Sequence, residues 1–123
     1  MINSEILKKR TKLFSINIGK LVLELTYNTL NKNYANQITR CSSSVGANYR
    51  AACRAKSKAD FIYKLKIVEE ELDEAMFFLE LLNEFNPNQH KIIDDLWKEA
   101  NELLSIFVAT INTMKTKYVN HKS

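Results

Sequence analysis

The sequence predicts an all-α protein: a single antiparallel, up-down-up-down bundle of four long helices. Three observations carry that prediction. The chain has only two Gly and one Pro in 123 residues, whereas turns and hairpins consume both residue types, so a sheet-rich fold would need many more. Apolar residues recur at alternating spacings of three and four in four separate stretches, the period of helices packed side by side. The breaks between those stretches are a few residues long, which forces consecutive helices to run antiparallel. With 46% hydrophobic and 26% charged residues, the chain sits in the ordinary globular range and can bury a core. Its length fits one domain, residues 1–123.

The third stretch, residues 57–86, is the clearest. Phe61, Leu65, Val68, Leu72, Ala75, Leu79 and Leu82 form a seam with the 3.5-residue period of bundle packing. Ser57 with Asp60 resembles a capping box at its start, and Pro87, between Asn86 and Asn88, should end it. The fourth, residues 89–118, repeats the pattern with Ile93, Trp97, Ala100, Leu104, Phe107, Ile111, Met114 and Tyr118. A second row of Ile92, Leu96 and Leu103 widens this stripe, as contact with more than one neighbour requires. The first, residues 4–29, shows Phe14, Ile18, Leu21 and Leu25 and runs out in the polar segment Asn28 to Asn33. The second, residues 33–55, gives Tyr34, Ile38, Cys41, Val45, Asn48, Ala52 and Ala55.

That second helix is unusual. A mid-helix Gly is destabilising by ~1 kcal/mol relative to Ala, so Gly46 calls for a compensating close approach of another backbone. Asn48 falls on the expected apolar seam, where an unsatisfied amide would cost ~1–3 kcal/mol, so it calls for a fixed partner. A structural role for Asn48, setting register or assembly, outweighs a binding role.

The charge is unevenly divided. Residues 1–66 hold 13 Lys and Arg against 3 acids, and residues 67–123 hold 5 against 11. A basic half and an acidic half can form salt bridges inside the bundle, pair head to tail between copies, or leave a basic face for nucleic acid. The dense carboxylate run is Glu69, Glu70, Glu71, Asp73 and Glu74, with Glu70 and Glu74 one turn apart on one face. Pairing of Glu70 or Glu74 with Arg40 or Arg54 of the second helix is the expected use, ahead of a cation site. Arg40, Asn48, Arg54, Glu70 and Glu74 thus form the expected structural polar network. The basic residues fall into Lys8, Lys9, Arg10 and Lys12; Arg50, Arg54, Lys56 and Lys58; and Lys64 with Lys66. All of these except Arg54 make up the candidate surface for nucleic acid or a partner, a sequence-independent and salt-sensitive mode of binding. Tyr49 and Tyr63 are the candidate stacking aromatics, since Phe14 and Phe61 belong to seams.

Enzyme chemistry fails the spacing tests. A di-iron bundle needs Glu-x-x-His pairs, and neither His90 nor His121 has Glu three residues before it. Nuclease toxins built on four helices carry Arg with His a short gap downstream, and no Arg here has a His within ten residues. A Cys–His nucleophile would need an imidazole near Cys41 or Cys53, yet both histidines sit at segment ends. No catalytic residue, cofactor or metal site is therefore expected. Cys41 and Cys53, twelve residues apart in one helix, stand ~18 Å apart and cannot pair, which fits a reducing cytoplasm. No stretch nears the ~18 apolar residues of a membrane span. The first fourteen residues lack the apolar block of a secretory signal.

One ordered signature remains. The run RCSSSVGANYRAACRAKSKADF from Arg40 to Phe61, followed by KLKIVEEELDEAMFFLELL, resembles the 23S rRNA intervening-sequence proteins. The matching positions are Arg40, Ser44, Val45, Gly46, Asn48, Ser57, Asp60, Phe61, Leu65, Ile67, Glu70 and Glu74, and the likeness extends over roughly residues 14–115. Ala51 departs from the Glu common after Asn-Tyr-Arg, and Lys66 stands where Gly is common, which removes any carboxylate role at position 51. The resemblance implies a left-handed bundle assembled as a homopentamer, similar in fold to the accessory protein of diversity-generating retroelements, a basic pentamer that binds a reverse transcriptase and nucleic acid. It implies a non-catalytic oligomeric scaffold associated with RNA or DNA, or an adaptor for one protein partner such as a reverse transcriptase.

Overall fold

The computed structural model describes residues 3–122, and their side chains as far as residue 116. Four α-helices follow one another: α1, Ser4–Glu24; α2, Thr29–Ala52; α3, Lys58–Phe85; and α4, His90–Lys122, entered through a 3-10 turn at Pro87–Gln89. Each helix packs on its neighbours in the chain, and α1 closes the ring against α4. α1 and α3 therefore stand at diagonal corners, as do α2 and α4.

Side-chain caps set the helix starts. The Asn3 amide oxygen accepts the Ile6 N–H at 2.9 Å, Asn28 accepts that of Asn31 at 2.8 Å, and the Ser57 hydroxyl accepts that of Asp60 at 3.1 Å. Each satisfies a donor that the helix itself leaves without a partner. The capping box at Ser57 is only half formed, because the Asp60 carboxylate accepts from Lys56 N–H at 3.4 Å instead of from Ser57 N–H. The first connection corrects the sequence reading. α1 stops at Glu24 and α2 begins at Thr29, so the polar segment after Asn28 is the first turn of α2 and not a loop. The asparagine that looks like a turn residue is a cap.

The α3 seam is buried from Leu65 through Leu82, with Phe61 half-buried at its start. In α1, Leu7 and Thr11 extend the row of Phe14, Ile18 and Leu21. In α4 the buried stripe runs between the two expected rows, taking Ile93, Leu96, Ala100, Leu103, Phe107 and Ile111 while Ile92 stays exposed. The side chains of Tyr118 and His121 lie outside the described residues. In α2 the buried row is Ile38, Cys41, Val45, Tyr49 and Ala52. Tyr49 takes the seam position assigned above to Asn48, its ring centroid 5.2 Å from that of Phe107. An aromatic ring buries far more apolar surface than an amide, so the helix turns Tyr49 inward. Asn48 is half-buried on the flank and donates to the Ser44 carbonyl at 2.9 Å and the Ser44 hydroxyl at 2.8 Å. Its partner is fixed, but lies within its own helix.

The buried polar pair of the fold is Asn31 with Asn86. The Asn31 amide donates to Asn86 Oδ1 at 3.0 Å, and the Asn86 amide donates back to Asn31 Oδ1 at 2.9 Å. Asn31 also donates to the Thr26 carbonyl and Asn86 to the Leu82 carbonyl, both at 2.9 Å. This ties the α1–α2 connection, the start of α2 and the end of α3 into one knot. At Gly46 the backbone of α1 does approach: an added Cβ would meet Thr11 at 3.6–3.7 Å, which is ordinary van der Waals contact. Around Gly19 an added Cβ would meet nothing within 4 Å.

Two outcomes are expected in equilibrium denaturation. Asn31→Ala or Asn86→Ala strands the other buried amide and should lower stability by about 1–3 kcal/mol. A double-mutant cycle on the two should return a coupling of about 0.5–3 kcal/mol; additive losses would show that the pair is not a unit. Gly19→Ala, with open space and helical backbone, should raise stability by about 1 kcal/mol.

Candidate nucleic-acid interface

Antiparallel packing lays the start of α1 beside the end of α2. Lys8, Lys9, Lys12, Arg50 and Arg54 line one open groove there, with Glu5 as its single acid. Lys8 is held by Glu5 at 3.1 Å. Among the described residues Lys9, Lys12, Arg50 and Arg54 form no ion pair. Arg50 occupies the last turn of α2, where the unpaired carbonyl ends of a helix favour a cation. The groove therefore presents four uncommitted cations, Lys9 and Lys12 on α1, Arg50 on α2 and Arg54 in the turn just after it. Arg54, read above as part of a structural network, belongs to this group.

The rest of the candidate surface divides. Arg10 turns away from the groove: its guanidinium donates to Glu99 at 2.6 and 3.1 Å and to Glu102 at 3.0 Å, tying α1 to α4. Lys64 is committed to Asp60 at 2.6–2.7 Å, and that hydrogen bond holds the Asp60 carboxyl below the usual carboxylate range. Lys56 and Lys58 border a second cleft near Phe61 and Met114. Lys66 meets Lys115 of α4, and this contact holds the Lys115 ammonium below the ordinary lysine range. Lys115 carried no signal in the sequence, since only the fold brings α4 back to the start of α3. Of the two aromatic candidates, Tyr49 is buried and unavailable for stacking, while Tyr63 is exposed.

Of the expected polar network, Arg40 spans α2 and α3 with one guanidinium nitrogen 2.6 Å from Glu74 and the other 3.1 Å from Glu71. Asn48, Arg54 and Glu70 are not part of it. Glu71 supplies the second carboxylate because it faces α2 alongside Glu74, whereas Glu70 is exposed.

The thiols are free, Cys41 buried and Cys53 partly so. Burial pushes the Cys41 thiol up to about 12, so it is not a nucleophile at neutral pH. His90 contacts Asn83 at the α3–α4 end, away from both thiols. Among the described residues no group of His, Cys, Asp and Glu has the arrangement of a metal site, and no helix is long and apolar enough to cross a membrane.

The comparison with known families decides what the chain is. The family described as 23S rRNA-intervening sequence protein matches residues 4–109, nearly the whole bundle. The chain belongs to that family. A crystal structure of a protein of unknown function from the S23 ribosomal protein family of Bacteroides thetaiotaomicron VPI-5482 superposes with a TM-score of 0.81 at 28% identity, covering 90% of this chain and 99% of that one. No curated protein matches the chain. Membership accounts for the ordered signature from Arg40 to Glu74.

The buried ionisable groups give a pH test. Cys41 is raised from 9.0 to about 12, by burial first and then by the charges of Glu74 and Glu71. Tyr49 is raised by burial and by its hydrogen bond with Cys53. Both stay neutral in the fold where the unfolded chain begins to ionise, so their contribution is present below about pH 9 and lost as pH rises towards about 12. Thermal midpoints should hold from neutral pH to about 9 and then fall. Cys41→Ala should flatten the first part of that fall, while an unchanged profile would show that the thiol ionises freely.

Proposed function

We propose that the chain is a non-catalytic, self-assembling protein that binds the phosphate backbone of RNA or single-stranded DNA through the α1–α2 groove. The observation that carries this reading is the convergence of Lys9, Lys12, Arg50 and Arg54, from two separate sequence clusters, without a carboxylate partner. Clustered, uncommitted cations on a rigid frame gain from phosphate by releasing its condensed counterions, and read no sequence in doing so. Lys56, Lys58, Lys66 and Lys115 extend positive charge around the same end of the bundle. Exposed Tyr63 is the one candidate aromatic left, and it sits on α3 rather than in the groove, so affinity rests on charge. The protein acts in the cytoplasm, where both thiols stay reduced, and the homopentamer implied by the family resemblance is the assembly in view.

A second reading, an adaptor for one protein partner such as a reverse transcriptase, draws on an apolar cleft at the far end lined by Val22, Leu25, Tyr27 and Ala35. It would show as weak RNA binding by the isolated protein and a stable co-purifying partner.

Titration of single-stranded and structured RNA across a salt series separates the two. Binding at ~50 mM salt that weakens linearly in log–log form is expected, with a slope of about −0.7 per phosphate contact on single strands. K12A/R50A should reduce that slope by roughly one to two units and leave the helical signal unchanged. Absence of binding by the unaltered protein at ~50 mM salt removes the nucleic-acid reading.

A further inference from the structure

The outer face of α1 is not the polar face expected of a bundle helix. Ile6, Leu13, Ile16 and Leu23 are all exposed there, Leu13 at 54% and Leu23 at 84%. Lys9 and Lys20 fill the gaps, so the stripe reads 6, 9, 13, 16, 20, 23 at alternating spacings of three and four. Tyr27, 85% exposed, lies in the connection that follows. This is a second seam on the opposite side of the helix from the buried one. It runs ~26 Å from Ile6 to Leu23, and such a row in water signals a helix-packing surface without its partner.

The diagonal corner carries the counterpart. Along the outer face of α3, Tyr63, Glu70, Phe77 and Glu84 recur every seven residues, with Asp73 and the exposed Lys66 beside them. Tyr63 and Phe77 are exposed at 65% and 55%. Among the described residues Glu70, Asp73 and Glu84 form no ion pair, and neither do Lys9 and Lys20. One corner of the bundle is thus apolar and positive, and the opposite corner is apolar and, with three acids against Lys66, negative on balance.

We infer that the outer face of α1 in one copy docks on the outer face of α3 in the next. The inference rests on the self-assembly reading above and deepens it by naming the two faces. Like-with-like pairing is disfavoured, because α1 on α1 would oppose lysines to lysines and α3 on α3 would oppose acids to acids. The contact is therefore heterologous: each copy offers one donor face and one acceptor face, and repetition closes a ring or extends a chain. The proposed phosphate groove shares only Lys9 with this face, so docking leaves Lys12, Arg50 and Arg54 open on the α2 side of α1.

Two variants test this by sedimentation, with circular dichroism as the folding control. L13E/L23E spoils the α1 face alone, and Y63E/F77E spoils the α3 face alone; L23E by itself serves should the first double variant fail to fold. The unaltered protein should run as an oligomer and each variant as a monomer. An equimolar mixture should form a one-to-one dimer and stop there, since it contains only one intact pair of faces per complex. Assembly of Y63E/F77E like the unaltered protein, or a mixture that stays monomeric, overturns the pairing. A monomeric unaltered protein at high concentration instead overturns the self-assembly reading itself.

Discussion

The buried asparagine pair fixes the register on which everything else depends. Asn31 and Asn86 exchange two hydrogen bonds and spend their remaining donors on the Thr26 and Leu82 carbonyls. An apolar seam tolerates a slide of one turn, because a Leu that leaves one hole enters another. A buried amide does not, because its alternative is an unmade hydrogen bond worth ~1–3 kcal/mol at each end. Sliding α2 on α3 would strand both amides at once. The pair therefore converts a non-specific apolar contact into one alignment. That alignment sets Arg40 opposite Glu71 and Glu74, and at the far end, ~28 Å from Asn31 along α2, brings Arg50 beside the lysines of α1.

The charge division then resolves into two uses. Arg10 and Arg40 each bridge two carboxylates across a helix interface, one from α1 to α4 and one from α2 to α3. Each basic helix is thus stitched to an acidic one. Exposed pairs of this kind contribute ~0–1 kcal/mol, so they orient the helices more than they hold them. What they leave out matters more for function. With the arginines on the flanks committed, Lys9, Lys12, Arg50 and Arg54 keep their charge for something outside the chain.

The four helices and their apolar rows were legible because period and punctuation agree: long runs at three-four spacing, almost no Gly or Pro, and Ser57 and Pro87 at the breaks. Two asparagines mislead for different reasons: Asn28 by residue type, as a loop former, and Asn48 by spacing, which fits the same three-four row as its neighbour Tyr49. Position within the turn decides both, making Asn28 a cap and replacing Asn48 with Tyr49 on the seam. A rotation of one residue is 100° on a helix, and local spacing alone does not resolve it where two candidate rows adjoin. The Asn31–Asn86 pair and the Lys66–Lys115 contact join residues 55 and 49 positions apart. No local pattern announces either. The basic groove was half legible: both clusters stood out, but which cations stay unpaired depends on the acids that α4 and α3 bring alongside.

α1 carries three demands on 21 residues. One face fills the core, the flank towards α2 supplies Lys8 and Lys12, and the outer face holds the exposed apolar row. A helix offers that many directions because successive residues turn by ~100°. The proposed functions then reinforce each other. The few cations that one copy keeps free make a weak site for phosphate, salt-sensitive and without sequence preference. Docking of α1 on the next α3 brings such sites into one array. A strand held at one groove meets the next at high effective concentration, which raises overall affinity by orders of magnitude without a new contact. If the two complementary corners pair as proposed, repetition lengthens the surface that such a strand can follow beyond the few phosphates one bundle reaches.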